Sequence, residues 1–169
     1  EKGNVLWKNT NKYKRLPLYE SMIKCIASTS LLLCRKEVLV KIGGFEDMPS
    51  QDDLLLMVKI ITNGYEIDCV EQILVDYLEH NKGKISSRQA KPRIAMGYEK
   101  LREFCRNHYE GLEKIQKRDV EYRFSRTLCL QYMELKKNKK FFKEWRNLVK
   151  MKPYSILKNG RMLLRKLNT

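Results

Sequence analysis

Ile42-Gly43-Gly44-Phe45-Glu46-Asp47-Met48-Pro49-Ser50-Gln51-Asp52-Asp53, followed by Leu54-Leu55-Leu56-Met57-Val58-Lys59-Ile60-Ile61, decides how this chain is read. Two glycines and a proline make a turn-rich loop, and an acidic pair closes it. The run after the pair is apolar on nearly every side, which predicts a buried helix and not a surface one. Carboxylates on the first turn of a buried helix are held in a fixed orientation, as acid/base chemistry requires. Ser50-x-x-Asp53 also has the form of a capping box. Spacing alone admits both a helix cap and a working carboxylate.

Moving outward, residues 28–34 end in a continuous apolar run that suits a buried strand. Residues 35–42 predict a short helix, with Gly43 as its C-terminal cap. The buried helix should stop at Asn63-Gly64. Residues 65–70 alternate apolar and polar, and residues 72–78 form a second β-rich run, so two strands are expected. Further upstream, residues 18–24 predict a short helix and Val5-Leu6-Trp7 a short strand.

Beyond Pro92 the pattern turns wholly helical. Ile94, Tyr98, Leu101, Cys105, His108 and Leu112 form an apolar seam, which Gly111 interrupts. A second helix is expected over about residues 117–136 through Val120, Phe124, Leu128 and Leu135. A third runs through Phe141, Trp145 and Leu148 until Pro153 ends it. In residues 154–167, Ile156, Leu163 and Leu167 fall on one side, and Lys158, Arg161, Arg165 and Lys166 on the other. That basic amphipathic pattern suits a membrane interface, or a helix packed on its own bundle with a solvated basic face.

Charge divides the chain in the same place. The net charge is +15 over 169 residues. Residues 1–85 hold 12 Lys/Arg and 12 Asp/Glu, so residues 86–169 hold 23 and 8 and carry the whole excess. The boundary is placed in the 82–92 loop, giving regions 1–88 and 89–169. The basic region should seek an anionic partner: a membrane surface, a nucleic acid or a phosphorylated substrate.

No run of eighteen apolar residues is present, so no spanning helix is expected. The five cysteines (25, 34, 69, 105 and 129) are odd in number and show no C-x-x-C spacing, which predicts free thiols in a reducing compartment. The phosphate-binding, dinucleotide, nucleophile-elbow and H-E-x-x-H motifs are missing. So are zinc-finger spacings and the aromatic motif of sheet-type RNA binders, and no specific nucleic-acid partner is expected.

What remains is an order of features. It runs Ser28-Thr29-Ser30, an apolar segment, Arg35-Lys36, Ile42-Gly43-Gly44-Phe45, Asp52-Asp53 with Lys59 six residues on, Asn63-Gly64-Tyr65, Leu74-Val75-Asp76-Tyr77, His80 and Ile85-Ser86-Ser87. Over residues 26–88 this order resembles the acceptor-side half of the family 2 inverting glycosyltransferases, above all bacterial enzymes that build capsular or lipid-linked polysaccharides. The resemblance implies an α/β fold: a partial, Rossmann-like GT-A domain over 1–88, followed by an all-α basic region over 89–169.

It also implies site roles. Asp53 matches the catalytic base, and Asp52 stands where that family usually has Glu. Gly43, Gly44, Phe45 and Gln51 would shape the substrate pocket. Lys59 replaces a usual Arg, and His80 and Lys84 would face the diphosphate. The implied donor is a nucleotide sugar and the acceptor a saccharide or lipid-linked glycan. A divalent metal (Mg or Mn) is implied for the whole enzyme, with ligands mostly outside this chain. The family's nucleotide-binding half and its D-x-D motif would precede Glu1, so the 169 residues are expected to be a fragment inactive by itself. The expected location is cytoplasmic, peripheral to the inner face of the cell membrane and against anionic lipid. The competing reading is a basic helical module that binds nucleic acid or membrane without catalysis.

Overall fold

The computed structural model describes residues 13–24, 26, 28–75 and 91–153. Helix accounts for 64% of them, and no β-strand occurs among them. The expected α/β, Rossmann-like GT-A architecture is therefore overturned. The chain divides into two compact units, one of residues 1–46 and 53–84, the other of residues 47–52 and 85–169.

The first unit contains α1 (Leu18–Ile23), α2 (Lys36–Lys41) and nearly all of α3 (Asp52–Thr62). Leu54 to Ile60 are buried without interruption, as an all-round apolar helix requires. α2 ends in a Schellman motif: Gly44 N–H donates to the Leu39 carbonyl (2.7 Å) and Gly43 N–H to the Val40 carbonyl (3.1 Å). Gly43 takes φ +78°, the left-handed conformation that such a cap needs. α3 ends in the same way, with Gly64 at φ +82° and Tyr65 N–H on the Ile60 carbonyl.

The expected strands fail for a physical reason. A β-rich sequence becomes a strand only where a neighbouring strand completes its ladder. In residues 28–34 the chain instead makes a 3-10 turn over Thr29–Leu31, and Leu31 and Leu33 are exposed. Residues 65–70 are extended and touch residues 13–16 through two backbone bonds, Leu16 N–H to the Ile67 carbonyl and Cys69 N–H to the Tyr13 carbonyl (both 2.9 Å). The pairing is antiparallel in sense, and among the described residues it goes no further in backbone bonds. Ile73, Leu74 and Val75 are exposed. Val5-Leu6-Trp7 and residues 76–78 lie outside the described residues.

The second unit contains α4 (Lys91–Asn107), α5 (Lys114–Glu134) and α6 (Asn138–Met151), with α5 packed against both neighbours. Its core is built from Leu101, Cys105, Val120, Phe124, Leu128, Cys129, Tyr132 and Leu148. Tyr98 meets Phe124 edge-on, with ring centroids 6.4 Å apart. α4 stops before His108, whose Nδ1 lies 2.9 Å from the Phe104 carbonyl and whose ring stacks on Phe104. Gly111, at φ +78°, turns the chain toward α5. The 154–167 segment lies outside the described residues.

Segment 47–52 belongs to this second unit and rests on α4. Ser50 Oγ donates to the Arg93 carbonyl (3.3 Å), and Lys100 Nζ to the Asp47 carbonyl (3.4 Å). Gly97 permits the approach, because a Cβ there would sit 2.5 Å from the Ser50 carbonyl oxygen.

Candidate functional site

α3 is apolar along almost its whole length, so its one internal cation must find a partner. Lys59 is only 7% exposed. Its Nζ lies 3.0 Å from the Glu46 carboxylate and donates to the Gly44 carbonyl at 3.1 Å. One ammonium thus clamps the Gly43-Gly44-Phe45-Glu46 turn to the body of α3. Gly44, at φ +62°, follows Gly43 in the left-handed region, so the turn depends on two consecutive residues that tolerate it.

At the start of the same helix, Asp53 is half-buried and its Oδ1 accepts the Leu54 N–H at 2.7 Å. That bond fixes the carboxylate at the helix N-terminus, where an anion is favoured. The Ser50 hydroxyl donates to the Arg93 carbonyl of α4. Within the first unit, then, the glycine turn, Glu46, Lys59 and α3 with Asp53 form one connected structure. Phe45 is 53% exposed on the turn, free to meet a ligand.

Gln51 and Asp52 fall with the second unit. Gln51 adopts φ +67°, a strained conformation for a residue other than glycine, and Asp52 is exposed at the first position of α3. His80 and Lys84 lie outside the described residues. Among the described residues no three His, Cys, Asp or Glu side chains are grouped to hold a metal. Among them, too, no helix is long and apolar enough to cross a membrane.

Sequence reasoning passed over two sets of residues. Glu46 is the partner of Lys59, and the signal was a lone lysine inside an apolar helix next to an acidic turn. The other set is in the second unit, where Arg102 and Glu144 are buried at 8% and 6% exposure. Arg102 Nη1 donates to both Glu144 oxygens (2.9 and 3.0 Å), its Nε and Nη2 to Glu121 (2.9 and 2.6 Å), and Nη2 also to Ser125 Oγ (3.1 Å). Arg106 and Tyr109 bond Glu121 from the far side. Burial pushes the Glu121 carboxyl up, but the bonds from Arg106, Arg102 and Tyr109 outweigh it and hold the group at about 2. A wheel of α6 could have found Glu144, an acid lying between Phe141 and Leu148 on the inward face.

Cys105 and Cys129 are buried free thiols pushed up to about 12 by burial, which makes them poor nucleophiles. Cys34 and Cys69 are free and half-buried. Comparison of the chain with protein-family models, curated proteins and solved structures returns no match.

Proposed function

We propose that this chain supplies the acceptor side of an inverting sugar transferase, with Asp53 as general base. The reading is supported by the order of features that resembles the family 2 glycosyltransferases. The single observation that carries it is the Lys59 clamp, which makes one rigid body of the glycine turn and the helix bearing Asp53.

In the proposed reaction, Asp53 takes a proton from an acceptor sugar hydroxyl. The oxygen attacks the anomeric carbon of a nucleotide sugar, the nucleoside diphosphate leaves from the opposite face, and the configuration inverts. The base must be placed before it reacts, and a carboxylate fixed on a buried helix meets that condition. Phe45 offers an apolar surface for a sugar face, and the glycines let backbone approach the ligand. The acceptor is a saccharide or a lipid-linked glycan, and the work is done peripherally at the inner face of the cell membrane, in polysaccharide assembly.

The test is transfer by the protein that carries this segment. Asp53→Asn should lower kcat by about 10²- to 10⁴-fold, the usual worth of a general base. Asp52→Asn should lower it less than about tenfold. Asn still caps helices well, so stability should change by no more than about 1 kcal/mol. An Asp53→Asn protein that keeps its turnover while folded would remove the proposal and leave Asp53 as a cap.

A further inference from the structure

α6 shows two different faces. Its single acid, Glu144, points inward to Arg102, beside the buried Leu148. On the outer side, Lys139, Lys143, Arg146 and Lys150 follow one another at spacings of 4, 3 and 4, so all four fall in one narrow stripe. At 1.5 Å per residue the stripe is roughly 16 Å long. All four are exposed, and none makes an ion pair among the described residues. Neighbouring cations behave differently: Lys140 pairs with Glu99, and Lys152 with Asp119.

Alongside the stripe runs an apolar flank, Phe142, Trp145 and Val149, at spacings of 3 and 4. Phe142 is 61% exposed, and the other two are half-buried. The surface therefore combines unneutralised positive charge with a parallel apolar edge and carries no acid.

We infer that the outer face of α6 is a docking surface for an anionic lipid headgroup layer. This rests on the peripheral placement proposed above and names the surface responsible for it. Cations at headgroup level with aromatic and aliphatic side chains at the acyl boundary are the features of an interfacial helix. A single-stranded nucleic acid would want free ring faces on which to stack bases. Here the Trp145 ring stacks on Phe141 (14° between planes, centroids 6.3 Å apart), Phe141 meets Phe142 edge-on, and Val149 has no ring. The flank suits immersion better than stacking.

The full chain is mixed with vesicles of phosphatidylcholine, with and without phosphatidylglycerol, and floated. Binding should require the anionic lipid and fall with salt. Each cation near such a surface is worth roughly a fivefold change in partitioning. Replacing all four (Lys139→Gln, Lys143→Gln, Arg146→Gln and Lys150→Gln) should weaken binding by up to roughly several hundredfold. All four are exposed, so helical content should be kept, and circular dichroism checks this. In a Trp7→Phe background Trp145 is the one tryptophan left. Its emission should shift to the blue when vesicles are added.

If the fourfold variant binds like the parent, the α6 assignment falls while peripheral binding through another segment stands. If the parent itself fails to bind at low salt, both fall. Trp145 emission that stays unchanged on bound protein also overturns the assignment. So does a labelled single-stranded oligonucleotide that binds more tightly than the vesicles at equal salt and is lost with the same four substitutions, in favour of nucleic acid.

Discussion

Arg102→Met should strongly destabilise the helical unit, and the geometry says why. The guanidinium joins α4 to α5 and α6 through Glu121, Ser125 and Glu144. Methionine keeps most of the apolar stem but removes every donor. Glu121 survives the loss, because Arg106 Nε and Nη2 (2.6 and 2.8 Å) and the Tyr109 hydroxyl (2.9 Å) still bond it. Glu144 does not: besides Arg102 it meets Asn147 Nδ2 at a long 3.4 Å, and its side chain is 8% exposed. A buried carboxylate without its cation costs about 3–5 kcal/mol, a large part of a domain's usual 5–15 kcal/mol. Urea unfolding followed by helical circular dichroism measures this. Adding Glu144→Met to Arg102→Met removes the orphaned charge and should restore stability to within about 1–2 kcal/mol of the parent, since an apolar pair of similar volume replaces a buried ion pair at little cost. Adding Glu121→Met should restore nothing. A loss below about 1 kcal/mol for Arg102→Met, or rescue by the Glu121 change and not the Glu144 change, would refute this account.

Two further outcomes follow from the same unit. Gly97→Ala should cost up to about 2 kcal/mol, although alanine in a helix normally gains about 1. The Ser50 hydroxyl can rotate away from the new methyl, but the Ser50 carbonyl, 2.5 Å from it, moves only with its loop. A higher urea midpoint for Gly97→Ala would contradict the close seating of segment 47–52 on α4. The third concerns acid. The carboxyl of Glu121 is held at about 2 in the fold, below its ordinary 4.5. A depressed carboxyl contributes stability in full above the unfolded value, and loses it as pH falls from about 5 toward 2. The gap corresponds to roughly 3 kcal/mol. Melting temperature against pH should therefore fall on the acid limb, and Glu121→Gln should flatten that limb. An unchanged limb would show that Glu121 does not govern it.

The helical half was legible because its signal is local. Leu101, Cys105, Val120, Phe124, Leu128 and Leu148 recur at helical spacing, and each lies in the core. Helix ends were legible where glycine marks them: Gly43 and Gly64 both close helices with left-handed caps. Strands were not, because an alternating run such as residues 65–70 states only that it could pair. Whether it does depends on a partner elsewhere in the fold, and among the described residues two backbone bonds and the Arg15–Glu66 ion pair are what join it to residues 13–16. The site was half legible. Gly43, Gly44, Phe45 and Asp53 stood out as a glycine turn leading to an acidic pair, and Lys59 only through the order of features that carries the family resemblance. Glu46 went unnoticed because burial of Lys59 had to be known before its counter-charge could be sought. Arg102 and Glu144 were hidden by a stronger bias: charges on helices are normally solvated, and composition gives no sign of the exception.

That exception bears on how α6 acquires an outer face at all. On its inward side Leu148 is the one fully buried apolar residue of the helix, and the half-buried Phe141 packs on the Ala95, Leu128 and Tyr132 cluster. Apolar burial is non-directional and does not by itself single out one rotation of a helix about its axis. The two bonds from Arg102 to Glu144 are directional, and a helix turned by one residue, 100°, would carry the carboxylate out of reach. By the registry role of buried polar pairs, this one specifies orientation more than it adds stability. Holding Glu144 inward holds Lys139, Lys143, Arg146 and Lys150 outward. The buried acid is therefore what makes the basic stripe a defined surface, and the same restriction removes from that surface the one charge that would have opposed an anionic partner.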